Sequence, residues 1–304
     1  MKALITGCGG QDGFYLSEYL NSLGYEVFGG YRRSSQGELP PNVNPVPLEM
    51  TEYESVKSAI DSTGAEEVYN LAAQSHVGES FNCPLYTANV NYQGLLRILE
   101  CTRGRKTRIY HASTSEMFGG GRNLNESTPF RPRSPYAISK VAAHNACKMY
   151  AKAYGSRVSA GILFNHESPL RGKDFVTRKV CIAAAQDKEL SLGSTNSYRD
   201  WGHAKDYVKA MHLILQHEPN DFVIATGKAH SIYELIVECY SHVPNSPRLH
   251  RVEANKRPWD VDLLEGDATK AREILGWVPE YDFKALIKDM MDSELQAASL
   301  RSAA

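Results

Sequence analysis

Apolar and polar positions switch between two periods from the first residues onward. Residues 3–6 form a short apolar run ahead of a glycine cluster, which suits a fully buried strand. Phe14, Leu16, Tyr19, Leu20 and Leu23 follow near helical spacing and stop at Gly24, a residue suited to a left-handed cap. A second strand is predicted over 25–31, and later buried strands over 68–71, 108–111 and 159–164. Helical patterns stand between them at 52–62, 87–103 and 136–154. Strand and helix taken in turn predict an α/β fold: a doubly wound parallel sheet of the Rossmann kind, covered by helices on both faces.

Past Phe164 the rhythm weakens. One helix is predicted at 176–186, a helix and a strand at 204–216 and 222–225, and further helices at 232–242, 268–275 and 283–295, with Pro244, Pro247, Pro258 and Pro279 between them. The expected division is a dinucleotide-binding unit of residues 1–164 plus 198–226 and a smaller C-terminal substrate-binding unit of 165–197 plus 227–304. Pro40, Pro41, Pro45 and Pro47 mark a proline-rich loop.

Composition narrows the class. With 304 residues and 42% apolar side chains the chain can bury a large core. Lys and Arg number 34 against 35 Asp and Glu, so no basic field invites a phosphate backbone, and nucleic acid is not an expected partner. No apolar run is long enough to span a bilayer, and the first residues pass straight into the glycines without the form of a signal peptide, so no membrane partner is expected. Cys8, Cys83, Cys101, Cys147, Cys181 and Cys239 are scattered, without a C-x-x-C pair or a His at metal-ligand spacing. They read as reduced thiols of a cytoplasmic protein with no metal centre.

The candidate chemistry lies at three places. Gly7-Cys8-Gly9-Gly10-Gln11-Asp12-Gly13 follows the first strand and opens a helix, so Gly7, Gly10 and Gly13 let backbone approach a pyrophosphate at the helix N-terminus. At the end of the second strand, where an acidic side chain would take the ribose hydroxyls of NAD, stand Tyr31-Arg32-Arg33-Ser34-Ser35. Two arginines favour a 2′-phosphate, hence NADP; the alternative is a solvated surface pair. Tyr136 and Lys140, four apart, share a helix face. An ammonium beside a phenol, whose free pKa is about 10, lowers that value and lets the phenol take a hydroxyl proton as hydride leaves the same carbon. Ser113-Thr114-Ser115-Glu116 ends a strand at the edge where ligands sit in open α/β sheets. Thr114 can hold the reacting oxygen, and Glu116 can take a proton from the carbon beside a new ketone or, alternatively, cap the next turn.

At these residues the chain resembles the extended short-chain dehydrogenase/reductases, and among them the GDP-mannose 4,6-dehydratase family. The likeness covers most of the length. It rests on I-T-G-x-x-G-Q-D-G-x-Y-L at 5–16, R-R-S-S at 32–35, Y-N-L-A-A-Q-S-H-V at 69–77, S-T-S-E at 113–116 and S-P-Y-A-x-S-K at 134–140. It continues with I-L-F-N-H-E-S-P at 162–169, F-V-T-R-K at 175–179, R-D-W-G-H-A-K-D-Y-V at 199–208 and V-D-L-L-x-G-D at 261–267.

The resemblance implies catalytic roles for Thr114, Glu116 and Tyr136, with Lys140 supporting Tyr136 and binding cofactor ribose. It implies NADP contacts at Gly7, Gly10, Gln11, Asp12, Arg32, Ser34, Ser35, Leu71, Ala73, Gln74, Ser75, Tyr86, His166 and Arg171. For the sugar nucleotide it implies Ser75, Thr114, Ser115, Glu116, Asn165, Lys179, Arg199, Arg257 and Asp260. Trp201 and His203 fall in a family motif, where packing at the domain junction is the expected role. The implied reaction converts GDP-mannose to GDP-4-keto-6-deoxymannose and water through an internal NADP(H) hydride cycle. The alternatives are an NADP-dependent reductase or epimerase acting on another nucleotide hexose, and a non-catalytic nucleotide-binding regulator.

The chain departs from the family pattern in four ways. Glu49-Met50 stands where Asp-Leu is usual near the adenine, Leu170 precedes Arg171 in place of a second arginine, and Ser194 replaces a common Asn. The connection from 36 to 47 is short in a region where family subunits meet, so a homo-oligomer is expected to be a dimer rather than a tetramer.

Overall fold

The computed structural model describes residues 1–32, 39–193, 195–251 and 258–302. Along the first half run β1 (Lys2–Thr6), α1 (Gln11–Ser22), β2 (Glu26–Tyr31), β3 (Asn44–Pro47), α2 (Tyr53–Thr63) and β4 (Glu67–Asn70). Then come α3 (Pro84–Ala88), α4 (Gly94–Thr102), β5 (Arg108–Thr114), β6 (Gly121–Leu124), α5 (Pro135–Tyr154) and β7 (Arg157–Leu163). The second half continues with β8 (Asn165–Glu167), α6 (Val176–Ala185), β9 (Leu190–Leu192), β10 (Tyr198–His203), α7 (Ala204–Gln216) and β11 (Asp221–Ile224). It ends with β12 (Ala229–Ser231), α8 (Ile232–Tyr240), β13 (Leu249–Arg251), β14 (Leu263–Gly266), α9 (Thr269–Leu275) and α10 (Phe283–Ser302).

Seven strands form one parallel sheet in the order β11-β7-β5-β4-β1-β2-β3. It is the doubly wound α/β sheet expected from the sequence. Neighbouring residues of each strand enter opposite cores, because side chains alternate across a sheet. Ala3, Ile5, Tyr69, Tyr110 and Ile162 pack with Leu16 and Leu20 of α1 and Met211 and Ile214 of α7. Leu4, Val68, Ile109 and Val158 face the other way, against Val56 of α2, Leu95 and Leu99 of α4 and Tyr150 of α5. Burial on both faces is why these strands read as continuous apolar runs.

Two elements depart from expectation. The stretch read as a proline loop ends in β3, on the edge of the sheet. Pro45 and Pro47 lie opposite Gly29 and Tyr31, while Leu48 N donates to Tyr31 O at 2.8 Å. The donating positions are therefore the even-numbered ones, and both prolines turn their missing N–H toward the free edge, where it costs nothing. The helix expected over 87–103 begins at Pro84 and is interrupted by a π turn at Asn89–Gln93. There Asn91 bonds sideways: its Oδ1 accepts from Gln74 N at 2.9 Å, and its Nδ2 donates to Gln74 O at 3.1 Å and Ser139 Oγ at 3.2 Å. Such π insertions recur at functional sites.

A second sheet, β12-β10-β14-β6 with β8 joined to β10, lies beyond the carboxyl ends of the first. Asp200 of β10 ties it together. This fully buried carboxylate accepts from Thr226 N (2.9 Å), Thr226 Oγ1 (2.5 Å), Gly227 N (2.9 Å) and Gly266 N (3.2 Å). Helices α6, α8 and α10 close a third core with Leu235, Leu286, Met290 and Trp201, and β13 pairs with β9. No described helix is long and apolar enough to cross a membrane. All six cysteines are free.

Candidate active site

A cleft of about 880 Å³ opens along the carboxyl ends of β1, β2, β4, β5 and β7 and continues between the two sheets. One wall is the glycine loop. Gly7 has φ +69°, and a Cβ there would meet Ala72 N and Cα at 2.9 Å; a Cβ on Gly13 would lie 2.5 Å from Cys8 Cα. Both glycines thus let the loop fold tightly onto its neighbours. A Cβ on Gly10 would come no nearer than 3.3 Å to protein, at Gly7 O, so that position lines the cleft wall without close packing. Gly10 is also the N-cap of α1 and carries no side-chain acceptor, the arrangement that suits a phosphate on the helix N-terminus. Thr6 Oγ1 accepts from Leu71 N (3.1 Å) and Ala72 N (3.0 Å), holding the 71–74 turn beside the loop.

Gln11 and Asp12 in the first turn of α1 grip the crossing strand β8. Gln11 Nε2 donates to His166 O at 3.1 Å, Ser168 Oγ donates to Gln11 Oε1 at 2.7 Å, and Asp12 Oδ2 lies 2.8 Å from His166 Nε2. Burial alone would push the His166 imidazole down, but the charge and hydrogen bond of Asp12, with Phe164 O at 2.8 Å on Nδ1, raise it instead. For Asp12 burial pushes upward, and His166 outweighs it to leave the carboxyl below its ordinary value. The two meet under the loop, and form an ion pair when His166 is protonated.

At the end of β5, Thr114 is the N-cap of a 3-10 turn at Ser115–Phe118, and its Oγ1 accepts from Glu116 N at 3.3 Å. The cap is therefore Thr114, not the Glu116 carboxylate, which lies half-buried in the cleft wall. Across from it Ser134 caps α5 through Ala137 N, Pro135 fills the first helical position, and Tyr136 and Lys140 come inward one turn apart. Thr114 lies close enough to the Tyr136 phenol to pull its titration downward. Lys140 Nζ donates to Ala112 O at 2.9 Å and sits 5.9 Å from the Tyr136 ring centroid.

The charges differ from the simple picture of a phenol lowered by its lysine. Burial raises Tyr136 to about 12, against the downward pull of Thr114 and Arg171, with Glu116 and Asp12 adding to the rise. Burial also lowers Lys140 to about 8. In this pocket the phenol needs more positive charge beside it before it can act as a base near neutrality.

The structure brings the expected positions together. Gly7, Gly10, Gln11, Asp12, Arg32, Glu49, Met50, Leu71, Ala73, Gln74, Ser75, Tyr86, Lys140, His166 and Arg171 line the half of the cleft over the main sheet. Arg32 Nη1 reaches Tyr86 Oη at 3.4 Å at its mouth. Ser34 and Ser35 lie outside the described residues, as do Arg257 and Ser194. The Glu49 carboxylate accepts from Thr51 N (3.1 Å) and Thr51 Oγ1 (2.9 Å), while Met50 is buried against Gly94. Arg171 pairs with buried Glu167 at 2.9 Å and lies 3.6 Å over the Phe175 ring; Leu170 beside it is exposed.

Thr114, Ser115, Glu116, Asn165, Lys179, Arg199 and Asp260 line the other half. Lys179 is exposed on α6, whereas Arg199 is buried on β10, 3.7 Å from Asp260. Trp201, also in the wall, stacks on Phe283 with centroids 6.0 Å apart; His203 caps α7 and bonds Asp289 at 2.9 Å. Ser191, Leu192, Gly193, Ser197 and Ile232 complete the far wall without having been singled out in the sequence. Small polar and aliphatic residues carry no chemical signal, and only the pairing of short strands brings them there.

Comparison with known proteins agrees with this geometry. A family model described as GDP-mannose 4,6 dehydratase matches residues 4–290. The chain is 45% identical over 326 residues to GDP-mannose 4,6 dehydratase 1 of Arabidopsis thaliana, covering 97% of this chain and 90% of the relative. It is 40% identical over 339 residues to the Homo sapiens GDP-mannose 4,6 dehydratase, covering 97% and 91%. Among solved structures, a Thermus thermophilus UDP-glucose 4-epimerase in complex with NAD superposes with a TM-score of 0.89 at 24% identity, over 97% of this chain and 99% of that one. That likeness is one of fold.

Proposed function

The chain belongs to the GDP-mannose 4,6-dehydratase family, and from that premise we propose that it converts GDP-mannose to GDP-4-keto-6-deoxymannose and water, using NADP. The observation that carries the reading is one cleft that holds the glycine loop together with Thr114 and Glu116 at the end of β5 and Tyr136 and Lys140 one turn apart on α5, Lys140 Nζ anchored on Ala112 O.

Gly7, Gly10 and Gly13 fit a dinucleotide by keeping that wall free of side chains, and Arg32 with Tyr86 stands where an adenosine 2′-phosphate would be met. When bound, NADP would accept the hydride from C4 in its oxidised form and, thus reduced, return it to C6, and its oxidised form would add positive charge to the cleft. Tyr136 takes the O4 proton, with Thr114 orienting the oxygen. Glu116 takes the C5 proton, made acidic by the new C4 ketone, and the C6 hydroxyl leaves as water. One of the two protons departs with that hydroxyl and the other returns to C5, so the cleft exchanges no net proton with solvent. Lys179, Arg199 and Asp260 hold the nucleotide end, and positioning in register supplies most of the acceleration.

In this reading residues 1–164 with 198–226 carry the dinucleotide and residues 165–197 with 227–304 the sugar nucleotide. The protein acts as a homo-oligomer, a dimer before a tetramer; exposed Leu85, Ile138 and Met149 on α3 and α5 support an apolar contact face, and native mass spectrometry tests it. The deciding experiment for the activity is mass spectrometry of GDP-mannose incubated with the protein and a trace of NADP⁺. Loss of one water with no net NADPH supports the dehydratase; stoichiometric NADPH consumption or an isomeric product would replace it with a reductase or an epimerase.

A further inference from the structure

Two turns beyond Tyr136 on the same face of α5 lies His144, wholly buried and unused in the chemistry above. Its Nδ1 is 2.9 Å from Ser113 Oγ, and its Nε2 is 3.3 Å from Asp221 Oδ2, at the start of β11. Asp221 stands beside Nε2 without a formed hydrogen bond, and its negative charge favours the proton on that nitrogen, which leaves Nδ1 to accept from the Ser113 hydroxyl. Asp221 also meets the Lys148 ammonium at 3.1 Å, and the Phe130 ring packs edge-on against the imidazole with centroids 5.2 Å apart. Burial would raise the Asp221 carboxyl, but His144 beside it, and then Lys148, hold it below its ordinary value.

Ser113 sits between the two residues that engage the Tyr/Lys pair. Ala112 O takes Lys140 Nζ, and Thr114 shares the cleft wall with Tyr136. Helix α5 is thus fastened to the end of β5 at two successive turns, through Lys140 and His144. We propose that His144 is a positioning residue: backed by Asp221, it clamps Ser113 and so fixes the strand end that carries Thr114 and Glu116 against the helix that carries Tyr136 and Lys140. This deepens the reading of the site given above and rests on its assignment of those four residues. The contact that the structure shows, Ser113 Oγ on His144 Nδ1, is a positional one, and geometry is what it supplies.

The two sides of the imidazole, the hydrogen bond of Nδ1 and the approach of Nε2 to Asp221, can be separated. An Asn amide replaces Nδ1, toward Ser113, and a Gln amide replaces Nε2, toward Asp221. Amide hydrogen exchange at residues 113–116, which needs no substrate, should rise by about tenfold in His144→Gln and return close to the wild-type rate in His144→Asn. Turnover of GDP-mannose should fall about 10–100-fold in His144→Gln with KM within about twofold, since a small misplacement costs rate rather than binding. His144→Asn should recover turnover to within about threefold. Ser113→Ala removes only a hydroxyl; it should lose rate like His144→Gln, and the double variant should lose no more. Equal losses in the Asn and Gln variants, or unchanged exchange at 113–116, would overturn the proposal. If exchange follows the expected order while the wild-type protein leaves GDP-mannose intact, the clamp stands and the substrate reading is what fails.

Discussion

His166 Nε2 and Asp12 Oδ2 lie 2.8 Å apart across 154 residues of chain, joining the first turn of α1 to β8. The pair fastens the dinucleotide loop to the strand that brings Asn165 into the cleft. Its pH window follows from the two shifts. His166 titrates above its ordinary value in the fold, so its share of stability is complete below that ordinary value and is lost as pH rises through the raised one. Asp12 titrates below its ordinary value, so its share is complete above that value and is lost as pH falls through the lowered one. Asp12→Asn should lower the His166 midpoint in an NMR titration and cost about 3 kcal/mol, the order found when one partner of a buried pair is removed. An unmoved midpoint would mean that the two groups do not pair in solution.

Glu116→Gln keeps the shape of the 3-10 turn, since Thr114 caps it, and removes the C5 base. Water loss should fall by about 10²–10⁴ while NADP affinity holds. Isothermal titration alongside product analysis separates the two; undiminished turnover would take Glu116 out of the mechanism.

Arg32, bonded to Tyr86 at the end of β2, should discriminate between cofactors. Arg32→Ala is expected to weaken NADP by about tenfold, the order of one charge-assisted contact, with little change for NAD. Equal loss for both dinucleotides in a fluorescence titration would assign Arg32 a role unrelated to the 2′-phosphate.

Lys140, pulled down to about 8 by burial, is an ammonium at neutral pH and loses its proton as pH rises past that value. The support it gives a phenolate should go with it, so the rate profile should bend downward on the alkaline side near pH 8. Lys140→Arg, charged throughout, should remove that limb even if it lowers the plateau. A limb that persists in the arginine variant must come from another group.

Asp200→Ala should be among the most destabilising single changes. It leaves the buried amide of Gly266 and the part-buried amides of Thr226 and Gly227 without their acceptor, at a cost of about 3 kcal/mol. Denaturant melts would show a lower midpoint, and an unchanged one would mean that these amides find other partners.

How much of this was legible beforehand divides along physical lines. Helix α7 runs over the same 204–216 as its pattern, because a long amphipathic stripe repeats its signal several times. The second-sheet strands β8, β12 and β14 span three or four residues, too few to repeat any period, and they form because partners arrive from distant segments. Pro45 and Pro47 argued for a loop until an edge position made their missing donors harmless. The π turn at 89–93 follows from what Asn91 meets in space, and its sequence offers no sign of it.

By itself the sequence determined the parallel sheet and the glycine loop, and it singled out Thr114, Glu116, Tyr136 and Lys140, which the fold brings into one cleft. Periodicity and side-chain chemistry are local properties, written within a turn or a strand. Only the tertiary structure decided the charge state of Tyr136 and Lys140, the seating of Asp12 on His166, the far wall at Ile232 and Ser197, and the clamp from His144 to Ser113. Each of these depends on which groups burial brings within a few ångströms of one another, and desolvation and hydrogen bonding act over that distance whatever the separation along the chain.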